Sequence, residues 1–337
     1  MILHLTRKEK FTKPFIDFIK ENFDISEHFF LLVGGQNKKE FYIEDDSYIK
    51  TISNKKDFLK YFIEFNKKMY KADKIIIHGL SQPYNIFYLF LNPWLLKKCY
   101  WVMWGGDFYF PEKQSWIKKQ VIKKIPHCIP VTPDDYIYLK SNYNTKAKYI
   151  KCINYIRSIK LEGSEIKQKS SNITKILIGN SATNTNRHID IFSLIKNYKN
   201  VEIIVPLSYG DNEYAKNIIA QGKKLFENFM PLVDFMEYDK YHKLLEDIDI
   251  AIFNHNRQQG VGNIILVLCM GKTLYISKEN NAYSMLKDMG ISFFDVNELK
   301  EGLKEITLEE KQKNKEIILE NYNEQKATEE WRRIFEK

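Results

Sequence analysis

The chain has 337 residues, 44% of them hydrophobic, which suits two domains with packed cores and excludes a disordered protein. A formal net charge of +9 favours anionic partners, such as nucleic acid, acidic lipid or phosphorylated substrates, without choosing among them. The cysteines lack CxxC pairs and zinc-ligand spacing, which indicates buried reduced thiols at Cys99, Cys128, Cys152 and Cys269.

The pattern indicates no secretory or membrane-spanning segment. Arg7, Lys8 and Lys10 are not followed by the apolar run of a signal peptide. The longest apolar candidate, NIFYLFLNPWLL, is interrupted by Asn92 and Pro93 and falls short of the ~20 residues that a spanning helix needs. We therefore expect a cytoplasmic protein, or one that attaches to a membrane from the cytoplasmic side.

Strands and helices alternate along the first half of the chain. The pattern predicts strands at MILHLT, HFFLLVG, KIIIHG, CYWVMW and HCIPVT, and YNTKAKYIKC is a candidate for one more. It predicts helices at KPFIDFIKENF, DFLKYFIEFNKKMY and YNIFYLFLN, and a basic helix from Trp116 to Ile125. Such alternation predicts a parallel sheet covered on both faces.

The alternation restarts after a polar, charged segment. Strands are predicted at KILIGN, VEIIVPL, FMPLV, IDIAIF, TLYIS and ISFFD, each separated from the next by a helical pattern. We predict an α/β protein with an N-terminal Rossmann-like domain (1–160), a linker (161–172), a C-terminal Rossmann-like domain (173–305) and a helical tail (306–337). In open sheets of this class, ligands bind beyond the carboxyl ends of the strands.

The segment FNHNRQQGVGNII reads as a buried strand, a glycine-containing turn and a helix start. The first N–H groups of a helix lack internal partners, and glycines let an anion approach them closely. Arg257, beside Gly260 and Gly262, adds a permanent cation. The pattern favours a diphosphate site, and the alternative is a well-capped turn that binds nothing.

This segment resembles the signature of the bacterial 4-acetamido-4,6-dideoxygalactose (Fuc4NAc) transferases, which act on lipid-linked intermediates of enterobacterial common antigen. Three further segments match in the same order: HGL with WVMWGGDFY, LIGNSATNTNRH, and VPLSYGDNEYAKNIIAQGKKLF. The resemblance implies a GT-B glycosyltransferase fold, in which two Rossmann-like domains face a cleft and the C-terminal one holds the nucleotide sugar.

Polar side chains and glycines at strand ends are the candidate substrate-binding residues of the C-terminal half. The alternative for each is helix capping or an ordinary connection, and the family motifs favour binding. They are Gly179, Asn180, Ser181, Ser208, Tyr209, Gly210, Glu237, Tyr238, Asn254, His255, Gln258, Gln259, Gly260, Gly262 and Asn263. Asp247 and Asp249 resemble a metal-binding DxD, but they lead into an apolar strand, so we predict neither a metal nor a cofactor.

In the N-terminal half, His78 and Asp107 end strands and are the candidates for acceptor contact and acid-base work. Gly105 and Gly106 suggest close backbone approach to a ligand, and the alternative for Asp107 is a turn or helix cap. Arg257 completes the predicted catalytic set, because a metal-free enzyme must neutralise its leaving diphosphate by other means.

The basic helix from Lys113 to Ile125 suits an anionic membrane surface, with a solvated lysine face as an equal alternative. Its cations are Lys113, Lys118, Lys119, Lys123 and Lys124.

The resulting prediction is a peripheral inner-membrane transferase. It would move a deoxyamino sugar from a dTDP-sugar to an undecaprenyl-diphosphate-linked saccharide, with no nucleic-acid partner. Two alternatives stay open: a sugar-nucleotide 2-epimerase of the same fold, and a non-catalytic basic module that binds nucleic acid or anionic lipid.

Overall fold

The computed structural model describes residues 1–35, 42–156, 165–166 and 171–336. Two compact units make up the chain: Met1–Ser158 together with Tyr322–Lys337, and Ile159–Asn321. Most of the predicted linker, 161–172, lies outside the described residues.

The first unit contains a parallel sheet, which has seven strands over the described residues. The strands are β1 (Ile2–Lys8), β2 (His28–Gly35), β3 (Ile49–Ile52), β4 (Lys74–His78), β5 (Cys99–Val102), β6 (His127–Ile129) and β7 (Lys148–Tyr149). Their order is β3-β2-β1-β4-β5-β6-β7. The helices are α1 (Thr12–Asn22), α2 (Lys55–Lys71), α3 (Pro83–Leu91), α4 (Gly105–Phe108), α5 (Trp116–Lys124) and α6 (Pro133–Tyr143).

The second unit repeats the pattern with a parallel sheet in the order β10-β9-β8-β11-β12-β13. Its strands are β8 (Thr174–Ile178), β9 (Val201–Pro206), β10 (Asn228–Leu232), β11 (Ile250–Phe253), β12 (Thr273–Ile276) and β13 (Phe294–Asp295). Its helices are α7 (His188–Ile195), α8 (Asn212–Leu225), α9 (Tyr238–Asp247), α10 (Val261–Cys269), α11 (Ala282–Asp288) and α12 (Leu308–Asn321).

Burial on both faces explains the apolar strand sequences. In β4, KIIIH, and β11, IAIF, consecutive side chains point to opposite faces, yet almost all are buried because helices cover both sides of a parallel sheet. In each sheet, the first three strands extend to one side, and the chain then crosses back so that the fourth strand pairs with the other side of the first. This is the strand order of a Rossmann-type sheet. The structure confirms the predicted fold class.

The pattern did not predict β3 or α6. β3 is only four residues long, so it offers too little periodicity to read. α6 begins at Pro133 behind the N-cap Thr132, whose hydroxyl accepts from Asp135 N while the Asp135 carboxylate accepts from Thr132 N. This capping box fixes the helix start, whereas the apolar residues before Pro133 suggested only a strand end.

The last helix, α13 (Glu324–Glu336), belongs to the first unit, whereas α12 belongs to the second. The segment predicted as a helical tail, 306–337, is thus shared between the units. Trp331 anchors α13: it is fully buried, its ring lies edge-on to Phe15 at 5.0 Å between centroids, and its Nε1 donates to the Ile153 carbonyl at 3.1 Å.

Trp331→Ala is expected to lower the free energy of unfolding of the first unit by about 3–5 kcal/mol, because it leaves a large cavity and an unpaired carbonyl. Trp116→Ala is the matched control, since that ring is 64% exposed in the same unit, and its effect should stay within about 0.5 kcal/mol. Urea unfolding followed by circular dichroism measures both variants. Equal losses would contradict the anchoring role.

Candidate functional site

The carboxyl ends of β8, β9 and β11 bring the predicted binding loops of the second unit to one edge of its sheet. The loop after β8 is joined to the loop after β9 by a parallel bridge between Ala182 and Gly210. Ala182 N donates to the Tyr209 carbonyl, and Asp211 N donates back to the Ala182 carbonyl, both at 2.8 Å. Tyr209 stands half exposed beside this bridge.

The start of α10 has the features of an anion site. Gly260 is the N-cap residue, with a left-handed φ of 71°, no side-chain cap bond is made there, and the first turn carries no acidic residue. Gly262 and Asn263 lie in that turn. A Cβ at Gly260 would lie 3.1 Å from Asn180 Nδ2 and 3.3 Å from His255 Cε1, so the turn is packed closely against the loop after β8. The uncapped N–H groups and the helix dipole favour a negative ligand.

The side-chain amide of Gln259 ties this turn to the loop after β8. Its Nε2 donates to Asn180 Oδ1 at 2.9 Å and to Ser181 Oγ at 3.0 Å, and its Oε1 accepts from Thr185 Oγ1 at 2.7 Å. Gln259, Asn180 and Ser181 are all buried. These bonds use both ends of the amide within the protein, so Gln259 shapes the turn that a ligand would meet.

His255 is fully buried and makes the next connection. Asn186 Oδ1 accepts from Asn180 N at 2.9 Å, which identifies it as the amide oxygen. Because an amide oxygen can only accept, the His255 ring, whose Nε2 lies 2.8 Å away, donates to it. The proton therefore sits on Nε2, and Nδ1 faces Asn280 Nδ2 at 3.3 Å as an acceptor. Burial, and after it the nearby charge of Arg257, lowers the pKa of His255 well below its usual value. The ring is neutral at neutral pH and adds no charge to the site.

Two arginines supply positive charge at this sheet edge. Arg187 donates to the Asn254 carbonyl at 3.0 Å and to Asn254 Oδ1 at 3.1 Å. It also donates to Ser277 and Glu279. Arg257 is partly exposed and directs Nη1 to the Gln258 carbonyl at 3.0 Å. Arg187 holds the loop after β11, whereas Arg257 lies on that loop, three residues before Gly260.

The remaining predicted residues of this unit lie around the same edge. Ser208 lies two residues beyond the end of β9, and Glu237 and Tyr238 stand at the start of α9, where Glu237 is the N-cap residue and makes no side-chain cap bond. Gly179 has a φ of +69°, and a Cβ there would lie 2.5 Å from both Asn186 Oδ1 and His188 Nε2. Gly179 thus allows the chain to turn directly above these two side chains.

Thr185 and Asn186 were predicted only as part of a set of small polar residues after β8 that favours a binding loop, and Arg187 was not selected. The structure shows that these three residues organise that loop. Asp247 ends α9, and Asp249 precedes β11 and accepts from Lys175 N at 2.8 Å. Both therefore lie at the amino end of β11, on the edge away from the loops. In the parts of the chain that the structure describes, no group of three or more His, Cys, Asp or Glu side chains suits a metal ion.

His78 ends β4 in the first unit and is buried among other rings. Its Nε2 lies 3.1 Å from His4 Nδ1, its Nδ1 lies 3.1 Å from the Tyr155 hydroxyl, and His4 Nε2 continues to His28 Nδ1 at 2.9 Å. Burial lowers the pKa of His78 to about 3. Because both ring nitrogens are engaged inside the unit, this geometry favours a positioning role over acid-base chemistry.

Asp107 is buried in the short helix α4, which Gly105 and Gly106 begin. Its carboxylate accepts from Trp104 N at 3.0 Å and Trp101 Nε1 at 3.2 Å. Burial raises the pKa of Asp107, and the charge of Lys118 opposes that rise. This is the cap geometry that the sequence left as the alternative to catalysis.

Lys118 corrects the prediction for the basic helix. It is only 7% exposed and its charge acts on the buried Asp107, so it is not one of the surface cations of α5. Lys113, Lys123 and Lys124 are exposed and Lys119 is partly exposed. The spacing within α5 agrees with this burial, since position 118 lies three and four residues before the buried Val121 and Ile122.

The model of a family described as 4-alpha-L-fucosyltransferase, glycosyl transferase group 56, matches residues 11–333. The chain belongs to this family. The match agrees with the family that the motifs resemble, and it confirms the predicted class, a glycosyltransferase. As such, the enzyme takes a nucleotide-sugar donor and an acceptor.

Solved structures of glycosyltransferases share the fold. A sucrose-phosphate synthase from Thermosynechococcus elongatus has a TM-score of 0.71 and 10% identity, covering 100% of this chain and 98% of that chain. A glycosyltransferase from Rickettsia africae ESF-5 has a TM-score of 0.67 and 14% identity, covering 99% and 97%. A UDP-forming trehalose-phosphate synthase from Burkholderia xenovorans has a TM-score of 0.63 and 12% identity, covering 99% and 97%. The shared fold is GT-B.

Among the described residues, no helix has both the length and the apolar character needed to cross a bilayer.

Gly210→Ala is expected to weaken nucleotide binding and lower the free energy of unfolding. A Cβ at Gly210 would lie 2.3 Å from the Ala182 carbonyl oxygen, so the bridge between the two loops must open. Gly302→Ala is the matched control, because Gly302 has a similar φ, 119° against 123°, but no atom within 4 Å of a new Cβ. Both variants carry backbone strain, and the clash should cost Gly210→Ala about 1–3 kcal/mol more.

Thermal unfolding and nucleotide titration measure both glycine variants. If the two variants behaved alike in both assays, the bridge would have no specific role.

Proposed function

We propose that this transferase moves a deoxyamino sugar, Fuc4NAc or a close relative, from a dTDP-sugar to an undecaprenyl-diphosphate-linked saccharide during synthesis of a surface polysaccharide such as enterobacterial common antigen. The start of α10 is the observation that carries the proposal. Its uncapped N–H groups, the left-handed Gly260 and the adjacent Arg257 form a seat for a diphosphate. The motif resemblance supports the choice of sugar and acceptor.

In the proposed reaction, an acceptor hydroxyl oxygen attacks the anomeric carbon of the donor sugar. The bond from that carbon to the diphosphate oxygen breaks, the electron pair leaves with the diphosphate, and the proton of the acceptor hydroxyl passes to an oxygen of the departing diphosphate. The helix start and Arg257 stabilise the charge that develops on this leaving group. Because His255 is neutral and bonded to Asn186, its contribution is to hold the loop in place.

Tyr209 and Glu237 are proposed to contact the nucleotide. Tyr209 is half exposed and offers a ring for stacking, and the exposed Glu237 carboxylate can accept from ribose hydroxyls. We assign Asp107 and His78 to positioning of the acceptor side, since their polar atoms are bonded within the first unit.

Transfer assayed by mass spectrometry tests the proposal. The purified chain is incubated with dTDP-, UDP- and GDP-sugars and a short-chain diphosphate-linked saccharide. The expected result is an acceptor that gains the mass of one deoxyamino sugar only with the dTDP donor. Epimerised donor without transfer would favour the 2-epimerase alternative and overturn the proposal.

Arg257→Ala is expected to lower affinity for dTDP about tenfold and to reduce turnover as well. A charge-assisted hydrogen bond contributes about 1.5–3 kcal/mol, and 1.4 kcal/mol is a factor of ten. Lys224→Ala is the matched control, because it removes an exposed cation from the last turn of α8 in the same unit. Calorimetric titration with dTDP measures both variants. Equal affinities in Arg257→Ala and wild type would contradict the assignment.

Turnover is expected to be unchanged by EDTA, because the helix dipole and Arg257 supply the positive charge that a divalent ion provides in metal-dependent transferases. Initial rates are measured after EDTA treatment, with and without added magnesium or manganese. A rate that EDTA abolishes and either ion restores would show that a metal carries part of this role.

A further inference from the structure

α2 and α3 both expose large apolar side chains. On α2, Leu59, Ile63 and Tyr70 lie on one face of the helix, because positions four and seven residues apart fall on the same side. On α3, Phe87 and Leu91 are four residues apart and also share one face, and Trp94 lies just beyond the end of that helix. We call these six residues the α2–α3 face. Solvated helix faces normally carry charged residues, and α3, PYNIFYLFL, has none.

Contacts between the two helices make this a single surface. Phe58 stacks on Tyr84 at 5.3 Å between ring centroids, and the Tyr88 hydroxyl donates to Asn66 Oδ1 at 2.6 Å. Trp94 Nε1 donates to the Tyr70 hydroxyl at 3.2 Å. These contacts follow the same order along both segments, so the two helices lie beside each other, and the bond between Trp94 and Tyr70 connects their exposed apolar residues. Contiguous apolar surfaces of this kind mark interaction sites.

Lysines border the α2–α3 face. α2 carries six lysines against two carboxylates, and Lys60, Lys67 and Lys71 lie on the side next to Leu59 and Ile63. Trp116 of α5 extends the surface, with its ring 5.5 Å from Phe90, and exposed lysines follow on that helix. Apolar side chains at the centre, tryptophan and tyrosine beside them and cations around them match the layers of an anionic bilayer surface.

We propose that the α2–α3 face inserts shallowly into an anionic lipid bilayer and holds the enzyme at the membrane. A second copy of the chain is a poorer occupant, because a symmetric contact would set lysine against lysine. The assignment deepens the proposed function, since a lipid-linked acceptor requires an enzyme at a bilayer surface. It moves the centre of attachment from the lysines of α5 to the apolar residues of α2 and α3.

The test is co-sedimentation with vesicles of phosphatidylglycerol and phosphatidylcholine, or of phosphatidylcholine alone. Wild type should bind the anionic vesicles, and Ile63→Ser/Leu91→Ser should bind them at least tenfold more weakly. The matched control is Ile137→Ser/Leu308→Ser, which removes the same residue types at similar exposure, 61% and 56% against 70% and 55%. That control should bind like wild type.

Two outcomes would overturn the proposal: equal binding by both double variants, or a wild-type dimer that Ile63→Ser/Leu91→Ser dissociates in light scattering. Transfer to a water-soluble acceptor analogue separates this inference from the proposed function. Ile63→Ser/Leu91→Ser should retain the wild-type rate in that assay. A wild-type enzyme that binds vesicles but transfers no sugar would contradict only the proposed function.

Discussion

The hydrogen bonds of one side-chain amide hold the candidate donor site together. Gln259 stands immediately before the left-handed Gly260, and its amide reaches Asn180, Ser181 and Thr185 in the loop after β8. Because those groups are buried, breaking the bonds would leave several polar atoms without partners. The position of the α10 start relative to the neighbouring loop therefore depends on this uncharged side chain as well as on Arg187, which holds the loop after β11.

The second unit was readable from its sequence because its strands are short apolar runs that end in polar loops, and the loops after β8, β9 and β11 carry a glycine. Gly260, Gly210 and Gly179 were selected for their loops, and all three have positive φ in the structure. The roles of the polar side chains were not readable. Gln259 and His255 turn toward other loops, and which partner each finds depends on contacts between segments far apart in the chain.

The first unit shows where local pattern fails. Lys118 belongs to a run of lysines, yet it is buried and its charge acts on the buried Asp107, a carboxylate that the sequence of α5 does not contain. The structure also shows that Gly79 is tightly packed, since a Cβ there would lie 2.8 Å from the Trp104 ring. The exposed face of α3 could not be predicted from the sequence either. Apolar residues in a short helix indicate a buried core, and only the fold shows which of them remain exposed.

The return of α13 to the first unit has a consequence for biosynthesis. Phe15 and His78, from the first part of the sequence, pack against Trp331, so this core lacks one wall until the ribosome has added residue 331. At ordinary elongation speeds of roughly 5–20 residues per second, that interval lasts on the order of tens of seconds. During it the second unit can complete its own sheet, so the half of the enzyme made first finishes folding last.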